Sequence, residues 1–196
     1  NLRLVNEDVM EIDLEELLQE NFEDRKCKVV ANLPYYITSP IIMKILENKG
    51  RFSSVVLMVQ KEVAERIAAS PGGKDYGILS LAVQYHSIPE IVKIVPNTSF
   101  IPAPNVDSAI IRLTIRDKSP VNVKDEAMLF QVIRASFGQR RKTILNSLSN
   151  SGLMLEKEVI EKILQNQGID TRRRGETLSL TEFALLSEEI GFFLKT

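Results

Sequence analysis

The sequence predicts a mixed protein, with an alternating α/β part over residues 1–117 and an all-α part over residues 118–196. Three observations carry this prediction. In the first part, short apolar runs bounded by turn residues alternate with helical spacings. After Asp117 the segment Lys118-Ser119-Pro120 has the composition of a linker. Beyond it, apolar residues recur only at helical spacing, so a sheet-bearing layer structure is followed by a helical one.

In chain order, Leu2-Arg3-Leu4-Val5 resembles a short strand running into Asn6-Glu7-Asp8, and residues 14–19 read as helix. A strand follows over residues 28–33. Residues 40–46 form a helix with Ile41, Ile42, Ile45 and Leu46 on one face. Residues 54–60 form a strand whose continuous run Val55-Val56-Leu57-Met58-Val59 is the mark of cover on both faces. A helix over about 61–69 leads into the loop Pro71-Gly72-Gly73-Lys74-Asp75-Tyr76-Gly77. Residues 78–85 fit a helix or a strand. Strands are expected at 91–95 and 109–115, separated by a proline-bearing loop. In the second part, Leu129, Val132, Ile133 and Phe137 share helical spacing, as do Ile144, Leu145 and Leu148. Gly152 and Gly168 stand where helix C-caps belong. Ser179-Leu180-Thr181-Glu182 fits a capping box opening the last helix.

Composition narrows the function classes. The apolar fraction of 44% and charged fraction of 26% are those of an ordinary globular protein. No apolar run approaches the roughly 20 residues that span a bilayer, and the opening residues do not read as a signal peptide. The lone cysteine, Cys27, permits no internal disulfide and suits a reducing compartment, so a cytoplasmic location is expected. His86 is the only histidine, which leaves too few thiolates and imidazoles for a zinc site, and no metal is expected. The net charge of −1 hides an asymmetry: nine acids and no base lie between Arg3 and Arg25, whereas residues 127–155 hold Arg134, Arg140, Arg141 and Lys142 and no acid. The basic half is where an anionic partner would sit, although two solvated faces explain the same charges.

Three constellations carry candidate chemistry. The first is Asn32-Leu33-Pro34-Tyr35, placed beyond the carboxyl end of a strand, where open α/β sheets bind ligands. Pro34 fixes its own φ and biases Leu33 towards extended backbone. The Asn32 side chain and the Leu33 carbonyl then offer two acceptors beneath the flat face of Tyr35, a receptor for an exocyclic amino group. Alternatively, the stretch is only a strand end with a proline turn and a core tyrosine. The second is the run Asn97-Thr98-Ser99-Phe100-Ile101-Pro102-Ala103-Pro104-Asn105-Val106-Asp107-Ser108, whose two prolines stiffen the loop and hold the Phe100 ring at low entropic cost. That ring is either a plug over the core or a stacking surface. The third is Gly138-Gln139-Arg140-Arg141-Lys142-Thr143, whose guanidinium groups suit bidentate phosphate contacts or simply a solvated helix end. Arg172-Arg173-Arg174 is a weaker example of the same kind.

Taken together, residues 31–40 (ANLPYYITSP), 74–84 (KDYGILSLAVQ), 95–113 (VPNTSFIPAPNVDSAIIRL), 137–148 (FGQRRKTILNSL) and 176–184 (ETLSLTEFA) occur in an order that resembles the ribosomal RNA adenine dimethyltransferases, of the bacterial small-subunit (KsgA) type. The resemblance spans essentially the whole chain. It implies an incomplete Rossmann-like S-adenosylmethionine-dependent methyltransferase sheet, present from the third strand onward, and a small helical RNA-recognition domain. It also implies transfer of methyl groups from S-adenosylmethionine to the N6 amino group of two adjacent adenosines of 16S ribosomal RNA, twice per base, during ribosome biogenesis. In that scheme Asn32, Leu33, Pro34, Tyr35 and Phe100 form the catalytic receptor for an adenine that has left its stack. Asp8, Val9 and Asn32 contact the cofactor, Asp8 by accepting from its adenine amino group. Arg134, Arg140, Arg141 and Lys142 meet the RNA backbone. The implied partner is the small ribosomal subunit, and the full-length protein is expected to be monomeric.

The family's glycine-rich loop after its first strand, and the acid after its second, have no counterpart in this sequence. Roughly 80–100 residues of a usual member therefore precede the matching part. A truncated or proteolysed product of a longer enzyme is expected, with weak or no binding of S-adenosylmethionine by this chain alone. Other functions are compatible with the sequence: a large-subunit methyltransferase of the macrolide-resistance type, a non-catalytic small-subunit assembly factor and, with no support from the intact Asn32–Tyr35 motif, a mitochondrial transcription factor on the same fold.

Overall fold

The computed structural model describes residues 2–139 and 141–195. Two compact units divide the chain: residues 1–68 with 86–117, and residues 69–85 with 118–196.

The first unit is built on a four-stranded sheet. Its elements are α1 (Leu14–Phe22), β1 (Cys27–Asn32), α2 (Thr38–Glu47), β2 (Phe52–Gln60), α3 (Lys61–Ala68), β3 (Ser87–Val95) and β4 (Ser108–Ile115). The strand order is β1-β2-β4-β3. β1 and β2 are parallel, with Ala31 opposite Leu57 and Asn32 opposite Met58. β4 runs antiparallel to β2, with Gln60 opposite Ser108, and antiparallel to β3, with Val95 opposite Ser108. One edge of the sheet thus collects the ends of β1, β2 and β3 and the start of β4. Pro89 is tolerated in β3 because that strand lies at an edge, where a missing N–H need not break a ladder. The apolar face of α2 (Ile41, Ile42, Ile45, Leu46) is buried, as expected from its spacing. α3 packs on β2, β3 and β4 through Ala64 and Ile67.

Two expectations for this unit need correction. Leu2–Val5 forms no strand: Leu2 and Leu4 are 91% and 87% exposed, and among the described residues the stretch has no neighbouring strand to pair with. Arg3 instead reaches Asn21 Oδ1 at 2.8 Å and Glu20 Oε2 at 3.3 Å on α1. In β2, Val55, Leu57 and Val59 are wholly buried while Val56 and Met58 are only half-buried, so cover is complete on one face only.

The second unit is helical. Around α5 (Glu126–Phe137), α6 (Ile144–Ser149), α7 (Lys157–Asn166) and α8 (Leu180–Lys195), one apolar cluster gathers Leu129, Val132, Ile133, Ile144, Leu148, Ile160, Ile163, Leu164, Phe183, Leu186 and Ile190. Residues 78–86 settle as a helix, α4 (Ile78–His86), which follows α3 in the chain. Tyr76, Leu81 and Tyr85 belong to the same cluster as α5–α8. The segment 69–85 therefore packs with the helices rather than with the α/β part to which its sequence position assigned it. Phe137 sets its ring at 6.4 Å from Tyr76 and 6.1 Å from Phe183, which fixes that join with aromatic contacts. Gly152 and Gly168 both have positive φ, 77° and 67°, the left-handed backbone that glycine adopts without a Cβ clash. After Gly168 the chain closes α7 with Ile169 N donating to Leu164 O at 2.8 Å.

Among the described residues no helix is long and apolar enough to cross a membrane.

Candidate active site at the carboxyl edge of the sheet

The site grows from the way β1 ends. Asn32 is its last residue, exposed, and Leu33 N still donates to Met58 O at 3.2 Å, so β2 holds the chain one residue further. Pro34 then turns it with φ −60° and ψ 131°, and Tyr35–Ile37 make one 3-10 turn leading into α2. Pro34 O accepts from Ile37 N at 3.3 Å and from Thr38 Oγ1 at 3.0 Å, which leaves the turn one geometry. Among the described residues, neither the Asn32 side-chain amide nor the Leu33 carbonyl oxygen has a hydrogen-bond partner. A backbone carbonyl beside a free amide, at the exposed end of the strand, is an acceptor pair awaiting donors.

The Phe100 loop arrives at the same edge because β3 ends and β4 begins there. Its backbone is held by its own side chains. Asn97 N donates to Asp107 Oδ1 at 3.1 Å, and Asn97 Nδ2 donates to Pro104 O at 3.2 Å. Lys61 N donates to Asp107 O at 3.0 Å, tying the loop to the end of β2. The outcome is a cleft of about 290 Å³ lined by Asn32, Leu33, Pro34, Tyr35, Phe100, Pro102 and Pro104. The five residues expected to form the catalytic receptor therefore line one cleft. Tyr35 and Phe100 share it without a ring-to-ring contact.

Ser108 ends the Phe100 run read from the sequence, where it had no role of its own, and it fixes the site. The Tyr35 hydroxyl and Ser108 Oγ lie 2.7 Å apart, and Ser108 is wholly buried at the start of β4. That bond pins the far end of the Tyr35 ring across 73 residues of sequence. Pro102 and Pro104, read as stiffeners, also form part of the wall.

Other candidates fall elsewhere. Asp8 and Val9 do not line the cleft. Asp8 is exposed, and its Oδ1 accepts from Met10 N at 2.8 Å in a tight turn. Its second carboxylate oxygen has no partner among the described residues, which fits an acceptor for an amino group. Lys44 on α2 donates to Met10 O at 2.8 Å, holding that turn against the helix that begins just after Tyr35–Ile37. Arg134, Arg141 and Lys142 are exposed on the helical unit; Arg140 lies outside the described residues. Arg172, Arg173 and Arg174 are all paired, with Asp170, Glu182 and Glu176. The Arg172 guanidinium holds the Asp170 carboxyl down to about 2. Burial pushes the Cys27 thiol up, so the single cysteine is a poor nucleophile.

Residues 1–185 match the family described as "Ribosomal RNA adenine dimethylase". The chain is 50% identical over 191 residues to a protein of Alkaliphilus oremlandii named "Ribosomal RNA small subunit methyltransferase A", covering 97% of the chain and 67% of the relative. It is 53% identical over 193 residues to the protein of that name from Bacillus mycoides, covering 97% and 66%. The chain thus spans about two thirds of the length of these relatives. Among solved structures, a dimethyladenosine transferase from Plasmodium falciparum superposes with a TM-score of 0.71 at 27% identity, over 81% of this chain and 64% of that one. The 23S rRNA methyltransferase ErmE shares the fold, with a TM-score of 0.64 at 22% identity over 89% of this chain and 69% of that one.

Proposed function

The chain belongs to the ribosomal RNA adenine dimethylase family, and from that premise we propose that the protein methylates the N6 amino group of adenosine in small-subunit (16S) ribosomal RNA. The acceptors are two adjacent adenosines, each methylated twice. The observation that carries this reading is the pair of unpartnered acceptors, the Asn32 amide oxygen and the Leu33 carbonyl, at a cleft walled by Tyr35 and Phe100.

The chemistry needs these groups. The amino nitrogen of adenine is a weak nucleophile because its lone pair is delocalised into the ring. Two N–H bonds donated to Asn32 and Leu33 favour a pyramidal nitrogen whose lone pair is directed away from the ring. Taking the base out of its stack costs a few kcal/mol, and stacking on an aromatic ring returns about 1–3 kcal/mol per base. Tyr35 is suited to this because its hydroxyl is already bonded to Ser108, which leaves the ring as the contact surface. Such a site acts mainly by positioning and not by acid–base catalysis. S-adenosylmethionine, when bound, supplies the methyl group on a positively charged sulfur. Asp8, Val9 and Asn32 are the residues of this chain assigned to it, and Arg134, Arg141 and Lys142 are assigned to the RNA backbone.

Labelled-methyl transfer to unmethylated small ribosomal subunits tests the proposal, using the protein at its full natural length. Asn32→Ala is expected to lower the rate about a hundredfold, the usual cost of removing one preorganised polar contact to the reacting group. Equal rates for the two proteins, or transfer to large-subunit RNA alone, would sink it.

A further inference from the structure

The loop that brings Phe100 to the cleft also carries a side chain that the fold does not use. Phe100, Pro102 and Pro104 line the cleft, whereas Ile101 between them does not and is 102% exposed. No large apolar side chain among the described residues is more exposed. A lone apolar residue on a surface is ordinary; what sets Ile101 apart is its place and its stiffness. The loop is not slack: Asn97 N donates to Asp107 Oδ1 at 3.1 Å, Asn97 Nδ2 to Pro104 O at 3.2 Å and Phe100 N to Asn97 O at 3.2 Å. Pro102 and Pro104 fix two further φ angles, and branching at Cβ restricts the Ile101 side chain itself. The outcome is a rigid apolar finger on the outer side of the cleft wall, about 3.8 Å of backbone from Phe100.

The chemistry of the rim says what such a finger meets. Among the described residues that line the cleft none carries a charge, so a phosphate finds no counter-charge there. On the other wall Tyr36, next in the chain after Tyr35, is 85% exposed, so both lips present apolar surface. Surface of that kind suits the flat faces of bases. An adenine drawn into the cleft leaves a gap in its stack, and the strand that delivers it passes over the wall on which Ile101 stands. The base faces bordering the gap have then lost their stacking partner. Apolar side chains, isoleucine among them, enter such gaps in nucleic acids and hold the step apart.

We propose that Ile101 is a wedge: it enters the gap that the reacting adenine leaves in the RNA stack, covers the bared face of the neighbouring base and so keeps the adenine in the cleft. The inference rests on the adenosine methylation proposed above and adds to it the means by which the stack is held open. Ile101 acts on the extrusion equilibrium and not on methyl transfer, which separates its role from that of Asn32. A rigid loop also presents the wedge with little ordering left to do on binding.

The test uses the protein at its full natural length and two small-subunit substrates. One carries both adjacent adenosines; in the other an abasic nucleotide replaces the adenosine beside the reactive one, so that no stacked neighbour has to be parted from it there. Ile101→Ala is expected to lower kcat/KM for labelled-methyl transfer on the order of tenfold on the first substrate, the low end of a base–aromatic contact because the side chain is aliphatic. On the abasic substrate it should match the unsubstituted protein, and Ile101→Leu should restore the rate on the first. The thermal midpoint should not move, since the side chain touches nothing. Independently of turnover, 2-aminopurine placed beside the reactive adenosine brightens when that adenosine leaves the stack, and saturating Ile101→Ala should give less of this rise. An unchanged rate, an equal loss on both substrates, a full fluorescence rise or a lowered midpoint in Ile101→Ala overturns the wedge and leaves the proposed methylation standing. No transfer to either substrate by the unsubstituted protein overturns both.

Discussion

Ser108 shows how a single side chain sets the geometry of the candidate site. The Tyr35 ring is useful to a stacked base only if its tilt is fixed, and its hydroxyl has one partner, 2.7 Å away on a wholly buried serine. Ser108→Ala leaves the Tyr35 hydroxyl to find water and frees the ring. The variant is expected to lose about 1 kcal/mol of stability in a urea titration and to raise KM for the RNA substrate more than it lowers kcat. An unchanged KM would mean that the ring is positioned by packing alone. The position of Asn32 and Tyr35 beyond a strand end was legible in sequence because proline and asparagine there have local consequences. Ser108 was not, since a serine's role depends on what folds against it 73 residues away.

At the scale of elements, the last helix depends on a charged cap. Ser179 N donates to Glu182 Oε2 at 2.8 Å and Glu182 N donates to Ser179 Oγ at 3.2 Å, the reciprocal bonds of the capping box read from the sequence. Arg173 adds an ion pair to the same carboxylate, and Ile144 N donates to Arg173 O, so the cap also ties the start of α6. The Arg173 hydrogen bond, together with those from Ser179, holds the Glu182 carboxyl below the ordinary glutamate value. A depressed folded-state value stabilises above the ordinary glutamate range and is lost as pH falls through the lowered value. Glu182→Gln is therefore expected to cost about 1 kcal/mol at neutral pH, discounted for a pair that is nearly one-third exposed. That penalty should vanish in acid. Thermal melts at pH 7 and below the carboxylate range check it; a cost that does not change with pH would assign the effect to shape instead of charge.

At the scale of the whole molecule, the two units do not follow the chain. Tyr76, Leu81 and Tyr85 lie before residue 117 yet are buried in the helical cluster. A piece comprising residues 118–196 is therefore expected to lack a cooperative thermal transition, because burying each such side chain is worth about 2–5 kcal/mol. A sharp melt with native near-ultraviolet dichroism would place the core entirely beyond residue 118.

What the sequence determined by itself was local and periodic. Helical spacing, the capping box and the glycine caps follow from interactions within a few residues, and so does the proline turn that ends β1. The resemblance of five ordered motifs also lay in the sequence, and with it the family. Tertiary structure decided what depends on distant neighbours. It dissolved the expected strand at Leu2–Val5, which has no partner strand. It chose helix for residues 78–86, where the apolar spacing fitted either form. It paired Arg172–Arg174 with acids and left Arg134 without a partner among the described residues. It brought Phe100 to Asn32 because β3 and β4 turn at the edge where β1 ends. Backbone geometry and periodicity are properties of neighbours in sequence, whereas pairing, burial and the shape of a cleft are properties of neighbours in space.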